Sequence, residues 1–197
     1  MQIHSIKEYQ NMFIQTENTP NPHSLKFLPG IIISKDSPIH FKNKKNCEDS
    51  PLAEHLFKIA GVKEVFLGKD FITVTKTQKT KWDELKTELL LTMTEFFSAN
   101  LPIFKEKKKN KTTKKEKIEE DEISAEIREI IEGRVRPAVA QDGGDIVFKE
   151  FKDGIVFVEL HGACSGCPSS TVTLKDGIEN MLKYYVPEVK EVKAVES

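Results

Sequence analysis

The sequence is short of cysteine, of net charge and of long apolar runs, and each shortage removes a class of protein. Its three cysteines cannot all pair within one chain: Cys164 and Cys167 form a single CxxC, and Cys47 lies far upstream. That is not the disulfide framework of a small secreted domain, and it fits a reducing compartment. The 30 Lys+Arg and 31 Asp+Glu almost cancel, so neither a polyanion nor an acidic surface is indicated as principal partner. No apolar stretch approaches the roughly 18 to 20 residues needed to cross a bilayer. The expectation is no nucleic acid and no membrane. The opening MQIHSIKEYQNMF lacks the apolar core of a signal peptide and the Arg-rich, acid-poor make-up of a transit peptide. Location is therefore read as cytoplasmic if the source is bacterial, or as the mitochondrial matrix if a transit peptide has been removed.

Hydrophobic residues are also scarce, at 38%, and the deficit is concentrated. In residues 105–122, KEKKKNKTTKKEKIEEDE, apolar side chains nearly vanish and a basic block gives way to an acidic one. Such a segment buries too little surface to offset chain entropy, so it reads as a charged flexible linker. As a nucleic-acid arm it lacks interleaved aromatic residues, and its acidic end would repel phosphates.

The linker divides the chain into a segment at 12–104 and another at 123–197. In the first, Phe13 to Thr16 reads as a strand, and Asn18-Thr19-Pro20-Asn21-Pro22 is dense in turn formers. A hairpin is expected with Leu25 to Leu28 and Ile31 to Ile33 flanking Pro29-Gly30. Pro51 opens a helix, Val62 to Leu67 and Phe71 to Val74 alternate as paired strands, and a helix from Trp82 to about Phe97 has Leu85, Leu89 and Met93 on one face. In the second segment Ser124 is expected to cap a helix running through Ile127, Ile131 and Val135, with Pro137 kinking its end. Two strands pair around Asp153-Gly154, a helix spans about Ser169 to Tyr185, and Val189 to Val195 forms the last strand. The fold class is α+β: two small α/β sandwich domains, the C-terminal one of α-β-β-α-β order.

Cys164 and Cys167 lie where a strand ends and a helix begins. Unpaired backbone N–H groups and the aligned peptide dipoles favour thiolates and anionic metal–thiolate groups there. Pro168 suits the first helical turn, and Gly162 and Gly166 allow close backbone approach. Four thiolates normally hold an iron–sulfur cluster, and this chain offers two, so two chains would complete the set. Two other uses of the pair stay open on spacing alone. One is a thioredoxin-like thiol–disulfide oxidoreductase, and the other a zinc-bridged structural dimer. His161 is an HxxC candidate, but strand alternation puts it on the opposite sheet face, and it reads as a surface histidine. Cys47, in KNKKNCEDSP, reads as an exposed loop thiol. Histidines 4, 23, 40 and 55 show no ligand spacing.

The stretch from Arg136 to Asp145, RPAVAQDGGD, followed by LHGACSGCPSSTVTLK from Leu160 to Lys175, resembles the C-terminal domain of NifU and Nfu proteins. Residues 13–30, FIQTENTPNPHSLKFLPG, resemble the start of the Nfu-type N-terminal domain. The resemblance implies a non-enzymatic iron–sulfur cluster carrier or scaffold, with Cys164 and Cys167 as ligands of a [4Fe–4S] cluster bridged between two chains, or of a [2Fe–2S] cluster. It implies a homodimer when cluster-bound, an upstream scaffold or cluster donor, and apo iron–sulfur client proteins as recipients. The scaffold domain of the longer NifU proteins is missing, which points to carriage rather than assembly. The DGGD glycines are accounted for by backbone geometry, and the N-terminal domain, having no chemistry of its own, is expected to dock clients.

Overall fold

The computed structural model describes residues 13–35, 37–105, 121–165 and 168–195, with only the backbone described over 168–174. Most of the expected linker, residues 106–120, lies outside them. The described chain forms two sheets, each with its own core.

The first sheet is built from β1 (Gln15–Asn18), β2 (Ser24–Leu28), β3 (Ile39–Phe41), β4 (Val62–Leu67) and β5 (Ile72–Lys76), in the order β1-β2-β5-β4-β3 and antiparallel throughout. Alternation turns Leu25 and Phe27, Val65 and Leu67, and Ile72 and Val74 to one face. There they meet the buried sides of α1 (Pro51–Leu56) and α2 (Trp82–Ser98). Ser50 caps α1 by accepting from the Ala53 amide, and Pro51 occupies the first turn, where its missing N–H is no loss. In α2, Leu85, Leu89, Met93 and Phe96 follow helical spacing and are all 2% exposed or less.

Two expectations fail in this half. Residues 31–33 form no strand. The amides of Ile33 and Ser34 instead bond the Lys69 carbonyl at the β4–β5 turn, and β2 pairs with β1 across the Asn18–Pro22 turn. Cys47 is not exposed. It is 2% accessible within the first core, its Sγ donating to the Lys44 carbonyl at 2.9 Å.

The second sheet contains β6 (Gly144–Lys152), β7 (Ile155–Gly162) and β8 (Glu191–Ala194). The strands β6 and β7 form a hairpin whose turn residues Asp153 and Gly154 both have positive φ, 54° and 84°, the geometry that continues a right-handed strand twist. The helix α5 (Pro168–Tyr185) crosses over to bring β8 parallel to β7. Ahead of the sheet run α3 (Glu122–Ile130), a π-helical turn at Ile131–Val135, and α4 (Arg136–Gln141). Pro137 cannot donate a backbone hydrogen bond, and the widened turn directly before it is where the helix absorbs that loss. The cap of α3 is Asp121 rather than Ser124: its carboxylate accepts from both the amide and the hydroxyl of Ser124, which holds its pKa below the ordinary value. The fold is thus α+β with two small α/β domains. Among the described residues no helix is long and apolar enough to cross a membrane.

Candidate functional site

Cys164 sits just past the C-terminal end of β7, ahead of α5, at the carboxyl end of a parallel strand where the chain turns into its crossover helix. This is where open sheets leave room for ligands. Cys167 lies outside the described residues.

The cysteine loop is built together with the glycine turn that precedes β6. Gly144 pairs with Gly162 across the hairpin, and the Ala163 amide donates to the Gly143 carbonyl at 3.1 Å. Gly143 has φ of 78° and Gly162 of 62°, conformations that side chains other than glycine adopt only under strain. Gly144 has a different reason to be glycine. A Cβ there would lie 2.5 Å from the Cys164 sulfur and 2.9 Å from the His161 carbonyl oxygen. Backbone freedom alone therefore does not account for the DGGD turn, because its second glycine is the space the sulfur occupies. Cys164 is 4% exposed and belongs to the second core, the cluster that also holds Val139, Ile146 and Val158.

The acidic end of the turn is fixed as well. Asp145 is buried and accepts two hydrogen bonds from Arg136, at 2.6 Å from Nε and 2.8 Å from Nη2, which raise the pKa of the guanidinium. The motif at 136–145 thus carries its own counter-ion, and the pair locks α4 to the start of β6.

His161 lies on the outer face of the second sheet, as alternation predicts, but that face is not open to water at this point. It meets His40 of β3, Nδ1 to Nδ1 at 3.4 Å with the rings edge-on, while His40 Nε2 lies 3.0 Å from Glu64. Burial holds the His161 pKa below its ordinary value. Burial alone would raise the pKa of Glu64, but hydrogen bonds from His40 and Lys63 outweigh it and leave the carboxyl below its usual range.

The N-terminal sheet touches the loop at further points. Asn21 Nδ2 donates to the Ala163 carbonyl at 3.1 Å, Thr73 Oγ1 to the Gly143 carbonyl at 2.7 Å, and Lys26 Nζ to the Gln141 carbonyl at 3.1 Å. None of these residues stands out as functional in the sequence. The only signals that could have found them are the dense turn at Asn18–Pro22 and an aromatic residue, Phe66, on an otherwise polar strand face.

Among the described residues no group of three or more His, Cys, Asp and Glu side chains is placed to hold a metal ion. His161 and Cys47 do not converge with Cys164. What the described site offers is one thiol on a tightly specified loop.

A family model described as the NifU-like domain matches residues 127–193, and one described as the N-terminal domain of scaffold protein Nfu/NifU matches residues 14–100. A human protein named NFU1 iron-sulfur cluster scaffold homolog, mitochondrial, is 47% identical over 185 residues, which span 93% of this chain and 72% of that protein. The protein of the same name from Drosophila ananassae is 46% identical over 188 residues, covering 94% of this chain and 65% of its own length. A solution NMR structure of a NifU-like protein from Saccharomyces cerevisiae aligns with 49% of this chain and 87% of its own at 26% identity, with a TM-score of 0.44.

Proposed function

The chain belongs to the Nfu-type family of NifU-like iron–sulfur cluster scaffold proteins, and from that premise we propose that it carries a [4Fe–4S] cluster, held between two copies by Cys164 and Cys167 of each, and delivers it to apo-proteins. The domains doing so are taken as 12–104 and 123–197, with 105–122 as the tether. Because the similar human and Drosophila proteins are named mitochondrial, the proposed location is the mitochondrial matrix.

The observation that carries this reading is the fit between Gly144 and the Cys164 sulfur. It makes the RPAVAQDGGD segment and residues 161–164, HGAC, one physical unit whose specification ends at a thiol. One chain brings two thiols to the site through its CxxC, and a cluster held by four is completed by a second copy. A site shared between subunits leaves its cargo at an interface, which suits release more than storage.

The chemistry asked of the chain is modest. The thiols must be deprotonated to bind iron, and the first turn of α5 supplies unpaired N–H groups and partial positive charge beside the loop. No bond is made or broken in a substrate, in keeping with a scaffold rather than an enzyme. The test is transfer: protein reconstituted without air is mixed with an apo-acceptor, and recovery of the acceptor's activity is followed. The carrier reading expects recovery with wild type and none with Cys164→Ser or Cys167→Ser. A zinc-bridged dimer would give none with either, and a thiol–disulfide oxidoreductase would instead reduce an insulin disulfide.

A further inference from the structure

One row of side chains crosses the N-terminal sheet on the face away from its helices. The strand registers set Glu17 opposite Lys26, Lys26 opposite Thr73, Thr73 opposite Phe66, and Phe66 opposite His40, one residue from each of the five strands. By alternation this is the face a two-layer domain leaves to water. Here it is covered: Lys26 is 8% exposed, Thr73 1% and Phe66 2%.

What covers it is the loop pair that carries Cys164. Lys26 and Thr73 donate to the carbonyls of Gln141 and Gly143. Phe66 lies so close to Gly162 that a Cβ on that glycine would come within 2.9 Å of its ring, and His40 faces His161. Beside the row, Asn21 donates to the carbonyl of Ala163, the residue before Cys164. Apart from the Phe66 and His40 contacts, the grip is on backbone carbonyls of the two segments between which the Cys164 sulfur is folded inward against Gly144.

We infer that this face of the N-terminal sheet is a clasp for the cysteine loop: Asn21 and Thr73 are positioning residues that hold the loop with Cys164 turned inward, and taking up cargo requires the clasp to let go. The inference rests on Cys164 being a cluster ligand. A thiol that is 4% exposed and packed in its own domain's core cannot face a second copy of the chain until the loop turns, and the carbonyls on either side of it are fixed by the other domain. Beside the Phe66 packing, the described contacts are hydrogen bonds to backbone carbonyls and a histidine pair, in keeping with the more polar interfaces between domains that move, and the tether keeps the released face close enough to re-engage once the cargo is gone. The sequence assigns the N-terminal domain to client docking; the structure gives its outer face an occupant already, in the chain's own loop.

Thiol access tests this without any cluster present. In full-length apoprotein carrying Cys47→Ser and Cys167→Ser, Cys164 is the sole thiol, and its rate of modification by a maleimide is measured. Asn21→Asp keeps the side-chain oxygen that accepts from the His23 amide while removing the donor to Ala163, and Thr73→Val removes the hydroxyl at constant shape. Each is expected to speed labelling, by on the order of tenfold when combined, as losing two hydrogen bonds implies. Thr73→Ser should keep the parent rate, which a simple packing role for the threonine methyl would not predict. The same substitutions, with all three cysteines restored, should accelerate cluster uptake during reconstitution, followed by visible absorbance. Unchanged labelling in both variants overturns the clasp. Faster labelling with unchanged uptake overturns its role in loading. A cluster that survives Cys164→Ser overturns the ligand assignment while the labelling result still stands, so the two failures are told apart.

Discussion

The hydroxyl of Thr73 donates a 2.7 Å hydrogen bond to the carbonyl of Gly143, 70 residues further along the chain, and the next residue is the glycine whose missing side chain makes room for the Cys164 sulfur. One contact therefore joins the sheet of the N-terminal domain to the geometry of a thiol in the other.

Gly144→Ala places a methyl 2.5 Å from the sulfur and 2.9 Å from the backbone oxygen of His161. The sulfur can rotate away but the backbone cannot. The variant should lose about 1 to 3 kcal/mol of stability in the C-terminal domain and bind little iron on reconstitution. Gly177→Ala, where a Cβ meets nothing within 4 Å on α5, should be neutral or stabilising by up to about 1 kcal/mol. Thermal unfolding with iron analysis of both variants checks the contrast.

Arg136→Ala leaves the buried Asp145 carboxylate without its bidentate partner. Arg136 itself keeps a side-chain exposure of 35%, so the cost should fall to about 2 to 3 kcal/mol, below that of a fully buried pair. Arg136→Lys, with a charge but no fork, should lie between. Denaturant titration orders the three proteins, and an alanine variant as stable as wild type would remove the pair from the account.

Acidification should loosen the contact between the domains. Burial holds the His161 pKa below its ordinary value; Glu159 and Asp145 oppose this, and His40 and Lys42 add to it. The exposed ring takes up a proton near about pH 6.5, whereas the docked ring resists until lower pH. The undocked form thus binds more protons in that window, and docking weakens as pH falls below about 6.5, levelling off under the docked value. Small-angle scattering across this range should show expansion on acidification, and His161→Asn should flatten the dependence. Compaction at low pH would contradict the sign.

Cys47 should be chemically quiet. Burial, reinforced by Glu54, raises its pKa, and its Sγ–H is engaged by the Lys44 carbonyl, so little thiolate forms near neutral pH. Cys47→Ser should leave iron content unchanged and cost about 1 kcal/mol in the N-terminal core. Mass spectrometry after brief alkylation should find Cys47 unmodified in native protein and modified after denaturation.

How far the sequence carries this account depends on which surface a residue meets. The strands β4 and β5 and the stripe of α2 are legible because hydrophobic period alone distinguishes core from outside. The three-residue strand Ile39–Phe41 is too short to show a period. Ile31 to Ile33 mimic a strand, because an apolar run looks the same whether it pairs along its length or, as here, ends in a bond from the Ile33 amide to the Lys69 carbonyl. Cys47 hides in a run of lysines and acids that are themselves exposed. The least legible part is the outer row of the first sheet. Lys26 and Thr73 are polar residues on the solvent side of a pattern, and nothing in the pattern distinguishes water from the carbonyls of Gln141 and Gly143. Cys164 and Cys167 are legible as a pair through their spacing, whereas the room that Gly144 leaves for the sulfur appears only in three dimensions.

In the proposed carrier, two chains share one cluster through Cys164 and Cys167. Native mass spectrometry of protein reconstituted without air measures chain number and iron content together. The account predicts a dimer carrying about four irons with matching sulfide, reverting to apoprotein chains on chelation and absent from the Cys164→Ser/Cys167→Ser variant. A cluster bound to a single chain, or one retained by that double variant, would contradict it.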